Sequence, residues 1–344
     1  MGRPDGKRVK NMDPLFKVIP NLMEHRHDSQ VFYTVDAQLE EITKYINTKR
    51  AQGLNIGYMH VFYLMFIKVI KNKPNLNRFV MQDRMYQRDD ISISMTVKQS
   101  LTEEGNEGTT KCVFTGDETI SDVAKILNDA IDSEKNPDNS EIEKMVKILN
   151  RVPRFISRAF TKTMMFLDRR DLMPKKMVNL SPFHATAYFT NVGSIGIDSV
   201  YHHLYDFGTI GMFVAMGKKF PKIINDKGVI KEAPHVRLSI VVDERIVDGF
   251  YFASSMRLLN RYIKNPFKLD EKDTEEYLKE VEREEKLSLK KALDEIAGRE
   301  ETEKEPREIF KNFPFPSFFK FWKSEEKKEK ERENKKEHQN ENEK

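Results

Sequence analysis

The stretch VVDERIVDGF at residues 241–250 places two acidic side chains and an arginine shortly before an Asp-Gly pair. The apolar residues before Asp243 predict the end of a strand, and Asp248-Gly249 predicts a tight turn into a helix. A carboxylate on such a turn can act as a general base or hold the turn through hydrogen bonds. Glu244 and Asp248 are therefore the first candidates for catalytic groups.

The elements that must position this turn form a mixed pattern. Alternating or continuous apolar residues predict strands, and helical periodicity predicts helices between them. The predicted strands cover residues 31–35, 91–97, 185–191, 211–217 and 235–242. One predicted helix begins at Asp36, and three others cover 57–71, 117–132 and 249–263. A basic amphipathic stretch at 140–170 is also predicted to be helical, and Pro153 interrupts it. The pattern predicts an α/β fold.

Composition divides the chain into five parts. They are a flexible N-terminus (1–14), a folded core (15–265) with a helical insertion at about 133–180, a charged helical arm (266–305), an aromatic segment (306–323) and a disordered tail (324–344). The tail has no apolar residue, so it cannot offset the entropy cost of ordering.

The segment IFKNFPFPSFFKFW at 309–322 is dense in phenylalanine and holds the only tryptophan. Such a segment is rarely left in water. We keep two interpretations: it docks on the domain or on a neighbouring subunit, or it anchors the protein at a membrane surface.

Bulk properties exclude several classes of protein. A formal net charge of +4 over 344 residues is too small to predict nucleic-acid binding. The single cysteine excludes an internal disulfide, and no Cys or His spacing predicts a metal site. The apolar run at 56–70 is too short for a membrane span. We therefore expect a cytoplasmic protein without a metal.

The turn resembles one motif of the chloramphenicol acetyltransferase-like superfamily. The nearest likeness is to the catalytic core of the dihydrolipoyl acyltransferases of 2-oxoacid dehydrogenase complexes, where the turn reads Asp-His-Arg-x-x-Asp-Gly. Asp243, Arg245, Asp248 and Gly249 match in register, and Glu244 replaces the histidine.

Upstream, AYFTNVG at 187–193 resembles the family's Phe-Thr-Ile-Ser-Asn-Leu-Gly block. Thr190 stands at the position of the active-site serine, and Asn191 and Gly193 match. The N-terminal strand, the two helices after it and KPNLN at 73–77 extend the resemblance over residues 15–265. No lipoyl-bearing or subunit-binding domain is recognisable, so we expect a free-standing core.

The resemblance implies a two-layer sandwich of a mixed sheet packed with helices, assembled as a homotrimer. Coenzyme A or acyl-CoA would be a substrate, reached through a channel between two subunits. Residue 244 would be the base, and the hydroxyl of Thr190 would donate to the oxyanion. Asp248 would hold the turn and pair with an arginine, for which Arg26 is the first candidate. Arg245, Gly249 and Asn191 would be structural or channel residues.

The pair His202-His203 belongs to the sequence YHHLYDFG, which superficially echoes the histidine motif. An apolar strand follows it where the motif has a helix, and its glycine comes one place too late. We interpret both histidines as structural. The alternative is that this loop supplies a general base to the substrate channel.

The substitution at 244 leaves two functions open. A free glutamate has a pKa about 2 units below that of histidine, which makes it a weaker base by roughly 3 kcal/mol at equal geometry. The first hypothesis is CoA-dependent acyl transfer to a small thiol, hydroxyl or amine with Glu244 as base. The second is a catalytically silent trimeric scaffold or acyl-CoA-binding module, tethered to a membrane or a protein partner through 309–322.

Overall fold

A computed structural model of the chain describes residues 3–12, 14–98, 107–134, 151–226 and 228–271, with five single positions between 283 and 294. Contacts divide the chain into units 1–274 and 275–344. The fold below is that of the first unit. The predictions for the aromatic segment and the tail fall outside the described residues.

The described strands are β1 (Lys7–Arg8), β2 (Gln30–Gln38), β3 (Arg78–Met81), β4 (Arg84–Gln87), β5 (Ile91–Lys98), β6 (Glu107–Phe114), β7 (Ala187–Asn191), β8 (Met212–Asp226) and β9 (Val229–Asp243). Six of them form the main sheet in the order β2-β9-β8-β7-β5-β6. A second sheet has the order β1-β4-β3. The main sheet is mixed, because β7 pairs in parallel with both β5 and β8 while the other pairs are antiparallel.

The described α-helices of this unit are α1 (Pro14–Leu22), α2 (Glu40–Ala51), α3 (Tyr58–Asn72), α4 (Ile120–Glu134), α5 (Arg154–Arg169), α6 (Lys175–Leu180) and α7 (Gly249–Lys264). Four of them, α2, α3, α4 and α7, form a layer on one face of the main sheet, where α3 contacts β5, α4 contacts β6 and α7 contacts β2. Helix α3 contacts α2, α4 and α7, and its residues 61–70 are all buried. The apolar run that was too short to span a membrane is thus the central core helix.

The opposite face of the sheet has its own apolar cluster. Along β7 the side chains alternate, so that Phe189 contacts Tyr63 of α3, with ring centroids 4.6 Å apart. Tyr188 points to the other face and stacks on Phe213 at 4.9 Å. Leu204 and Ile210, from the segment between β7 and β8, complete this second cluster. The predicted α/β sandwich of a mixed sheet and helices is confirmed.

Several element boundaries differ from the sequence-based prediction. The helix predicted to begin at Asp36 begins at Glu40, because β2 pairs with β9 as far as Gln38. The predicted strands 211–217 and 235–242 are the inner parts of a long hairpin, since β8 and β9 pair out to Asp226 and Val229 with one register shift between Met216 and Lys219. In such cases the partner strand, rather than the local sequence, sets where an element ends.

The first residues also differ from the prediction of a flexible N-terminus. The guanidinium of Arg3 is buried and forms ion pairs with Asp5 at 2.9 Å and Asp168 at 2.9 Å. Lys7–Arg8 then forms β1 against β4. At the other end, a 3-10 helix at Pro266–Asp270 buries Leu269, so the core extends past residue 265.

Candidate functional site

The turn at 243–249 has the predicted strand-turn-helix form. Strand β9 ends at Asp243, and α7 begins at Gly249. Asp248 caps the helix, because its carboxylate accepts a hydrogen bond of 2.7 Å from the backbone N–H of Tyr251. The carboxylate of Asp248 thus satisfies one backbone N–H in the first turn of α7.

Asp243 is the centre of a buried polar cluster. Its carboxylate is fully buried and accepts hydrogen bonds from Arg245, at 2.9 and 2.8 Å, and from the hydroxyl of Ser29 at 3.1 Å. Arg245 also donates to the carbonyl of Met23 at 3.0 Å. These contacts bind the start of the turn to the segment that precedes β2.

Arg26 contacts Asp243, not Asp248 as the resemblance implied. Its Nε lies 3.7 Å from Oδ2 of Asp243, and its other nitrogens donate to the carbonyls of Tyr205, Gly208 and Val80. Burial lowers the pKa of the guanidinium to about 10, while the charge of Asp243 opposes that shift. The predicted pairing with Asp248 is wrong because Asp248 is exposed, and a buried guanidinium needs a buried carboxylate.

Glu244 is held by its backbone and free at its side chain. Its N–H donates to the carbonyl of Ser29 at 2.8 Å, whereas the side chain is exposed. No described residue makes an ion pair with its carboxylate. Since Asp243 and Arg245 on either side are buried, the backbone presents this one side chain to solvent from a rigid turn.

Thr190 and Asn191 lie far from Glu244 within one chain. Thr190 pairs with Ala215 of β8, which pairs with Ser239 of β9. Ser239 precedes Glu244 by five residues, so at about 3.3 Å per residue the two positions are roughly 16 Å apart along the strand. At that separation the two side chains of one chain do not contact each other.

A cavity of about 320 Å³ opens beside Asn191. Its wall includes Tyr58, Gly193, Lys218 and Lys219. Gly193 is required by a close approach of two backbones, because a Cβ there would lie 2.3 Å from the carbonyl oxygen of Gly217. The lysines are donors suited to phosphate groups.

Gly249 behaves differently from Gly193. A Cβ at this position would meet no atom within 4 Å. The packing of the single chain therefore does not require glycine at the start of α7.

The two histidines of YHHLYDFG pack against aromatic rings. His202 stacks on Phe213, with ring centroids 4.5 Å apart, and burial lowers its pKa. His203 is exposed and lies edge-on to Tyr205 at 5.1 Å. The structural interpretation of the two histidines stays a prediction.

The structure brings together one group of side chains that sequence spacing does not reveal. His25, His27 and Asp206 place their ligand-type atoms within 4.8 Å of one another. His27 and Asp206 are 179 positions apart, so no local motif joins them. The only sequence signal is His25-x-His27, which by itself is too common to predict a site.

Comparisons with known proteins find likeness in solved structures only. No family model matches the chain, and no curated protein matches it. A probable dihydrolipoamide acetyltransferase from Listeria monocytogenes 4b F2365 has a TM-score of 0.49 and 14% identity, over 78% of this chain and 98% of that one. The dihydrolipoamide acetyltransferase of Azotobacter vinelandii has a TM-score of 0.49 and 12% identity, over 76% and 94%. A chloramphenicol acetyltransferase has a TM-score of 0.42 and 11% identity, over 75% and 99%.

The likeness of these structures to this chain is a likeness of fold alone. Among the described helices, none has the length and apolar character that crossing a bilayer requires.

Proposed function

We propose that this chain is a CoA-dependent protein of the acyltransferase type, with Glu244 in the position of the general base. The observation that carries the proposal is the turn itself. Buried contacts fix Asp243 and Arg245 on either side of Glu244, so the backbone there presents the carboxylate of Glu244 to solvent at the end of the sheet. A positioned base is what acyl transfer from a thioester requires.

The proposed site forms between subunits of a homotrimer. Glu244 and Thr190 are roughly 16 Å apart along the strand direction in one chain, which supports a site that Glu244 of one subunit and Thr190 of the next complete together. In this arrangement the hydroxyl of Thr190 donates to the tetrahedral oxyanion while the carboxylate of Glu244 accepts the acceptor's proton. The cavity beside Asn191, with Lys218 and Lys219, would take part of the CoA molecule.

A specific observation favours the second function, a silent acyl-CoA-binding scaffold. Asp243 and Arg245, two of the residues that keep the family pattern, are needed for this chain's own folding, because both are buried and bind each other. The residue that departs from the pattern, Glu244, is exposed and takes no part in that ion pair. A chain that had lost catalysis but kept its fold would show this distribution.

The experiment measures CoA and acetyl-CoA binding and the release of free thiol with a panel of thiol, hydroxyl and amine acceptors. The variants are Glu244→Gln and Glu244→His, with Glu41→Gln as a control because Glu41 is a partly exposed acid on α2. If Glu244 is the base, Glu244→Gln loses about 10²–10⁴ in turnover and keeps CoA binding. Turnover that appears only in Glu244→His supports the silent scaffold. Absence of CoA binding in the wild type contradicts both functions.

A second experiment tests the shared site. Glu244→Gln and Thr190→Val chains are produced separately and then co-expressed. If the site lies between subunits, random mixing restores about a quarter of the wild-type sites. Activity that stays at the level of the separate variants contradicts a shared site.

We further propose that the protein works in the cytoplasm, which rests on its single cysteine. The proposed contact of residues 309–322 with a membrane or a protein partner rests on their aromatic content alone.

A further inference from the structure

We propose that His25, His27 and Asp206 form a binding site for a divalent transition metal of the Zn²⁺ class, separate from the Glu244 turn. One ligand-type atom of each of these three described residues lies within 4.8 Å of the other two. Two imidazole nitrogens and one carboxylate oxygen are a common donor set for Zn²⁺.

The distances match those between ligands of one ion. Nδ1 of His27 lies 3.0 Å, and Nδ1 of His25 3.4 Å, from the same oxygen, Oδ2 of Asp206. Bonds of about 2.0–2.2 Å to a tetrahedral Zn²⁺ place neighbouring ligand atoms roughly 3.3–3.5 Å apart. The two imidazole rings stack nearly parallel, with centroids 5.1 Å apart and an interplanar angle of 15°. Small shifts of the side chains would therefore let one ion bind all three atoms in place of the two contacts between the histidine nitrogens and Oδ2 of Asp206.

Neighbouring groups orient two of the three ligands. Nε2 of His27 lies 3.1 Å from Oδ1 of Asp28, which leaves Nδ1 as the metal-facing nitrogen when Nε2 carries the proton. A carboxylate behind a ligating histidine is a common feature of metal sites. The other oxygen of Asp206, Oδ1, accepts a hydrogen bond of 2.9 Å from the backbone N–H of Arg26. Oδ2 is thereby left for the ion.

The surroundings leave room for an exchangeable ligand. His25 and Asp206 line a cavity of about 500 Å³, and about half of each histidine side chain is exposed. Three protein ligands leave the fourth tetrahedral position of Zn²⁺ to water or to another small ligand.

A bound ion would join two segments that are distant in sequence. His27 belongs to a 3-10 helix at Arg26–Ser29, and this helix also supplies Ser29 to Asp243 and to the backbone of Glu244. Asp206 belongs to the segment between β7 and β8. Metal binding would therefore hold in place the segment on which the Glu244 turn rests, and the folded state would become more stable.

The test uses the full chain, freed of metal, in a titration with Zn²⁺ against a chromophoric chelator. The absorption spectrum of Co²⁺ in the same site reports its coordination geometry. The wild type should bind one ion at micromolar or lower concentration, and its Tm should rise by a few degrees with Zn²⁺. His27→Gln and Asp206→Asn should each lose at least tenfold in affinity, and Asp28→Asn about 10–100-fold.

His203→Gln is the matched control, because His203 is an exposed histidine of the same segment as Asp206 but lies outside the group. Its affinity for Zn²⁺ should equal that of the wild type. Each variant's Tm without metal shows whether it folds. Failure of the wild type to bind Zn²⁺ at tens of micromolar, or equal binding by the wild type and the folded His27→Gln variant, would overturn the proposal and leave the three side chains as hydrogen-bonded neighbours.

Discussion

Arg245 forms a two-point ion pair with the carboxylate of Asp243, two residues earlier in the chain. Nε lies 2.9 Å from Oδ1 and Nη2 lies 2.8 Å from Oδ2, and both side chains are buried. Arg26 adds a second guanidinium at 3.7 Å. The turn that carries Glu244 is thus built on a desolvated charge cluster rather than on loop contacts.

Replacing Asp243 should be among the most damaging single changes in the core. Asp243→Asn leaves the guanidinium groups of Arg245 and Arg26 buried without a countercharge, and such a loss typically costs about 3–5 kcal/mol in the free energy of unfolding. The measurement is urea unfolding followed by circular dichroism. The control is Asp89→Asn, which removes an exposed ion pair with Lys7 and should cost less than about 1 kcal/mol. Equal stability of the two variants would contradict the role of Asp243.

Asp248 should contribute to stability through its helix cap. Asp248→Ala removes the acceptor for the N–H of Tyr251 and should lower the free energy of unfolding by about 0.5–2 kcal/mol. Asp248→Ser keeps a capping oxygen and should recover most of that loss. A drop in turnover with Asp248→Ser, at wild-type stability, would instead give Asp248 a role in the reaction.

A substitution at Gly249 distinguishes a requirement of the fold from a requirement of the proposed activity. Because a Cβ there meets no atom within 4 Å, and alanine favours helix more than glycine does, Gly249→Ala should leave Tm unchanged or slightly higher. If the glycine is present so that a substrate or a neighbouring subunit can approach the backbone, the same variant should weaken CoA binding or trimer formation. Size-exclusion chromatography and CoA titration distinguish these two causes. Unchanged binding and assembly would show that glycine is not required here.

Much of the fold could be predicted from local pattern. The residues of α3 carry a continuous apolar run, those of β5 alternate, and VVDERIVDGF contains both a strand end and a turn signal. In each case the pattern spans the whole element or its boundary. The hairpin of β3 and β4 was missed, since both strands are only four residues long and too short to show a period.

The site could be predicted only where its residues are close in sequence. Glu244 and Asp248 share one turn, so their neighbourhood was visible from the spacing. The partner of Arg26 was not, because Asp243 and Asp248 are both plausible in sequence and only burial distinguishes them. The contact of His27 with Asp206 depends on how the segment between β7 and β8 folds back, which no local pattern encodes.

Acid should destabilise the protein through the cluster that anchors its N-terminus. Burial alone would raise the pKa of Asp168, but the imidazole of His184, whose Nε2 lies 3.1 Å from Oδ1, and the charge of Arg3 outweigh that and hold its pKa at about 2. An unfolded Asp has a pKa of about 3.9, so this group contributes stability that is fully present above roughly pH 5 and is lost as the pH falls toward 2. Burial lowers the pKa of His184, so protonation of the unfolded state below about pH 6.5 acts in the same direction.

Urea midpoints measured between about pH 7 and pH 3 should therefore fall most steeply below about pH 5, with Asp168 alone accounting for about 1 kcal/mol of the loss by pH 3. Asp168→Asn should be less stable than the wild type at neutral pH and should show a shallower dependence on pH, because the titrating carboxyl is gone. Asp89→Asn, at an exposed site, should keep the slope of the wild type. Parallel curves for Asp168→Asn and the wild type would show that Asp168 has the same pKa in the folded and unfolded chain, and the acid sensitivity would then have to come from another group.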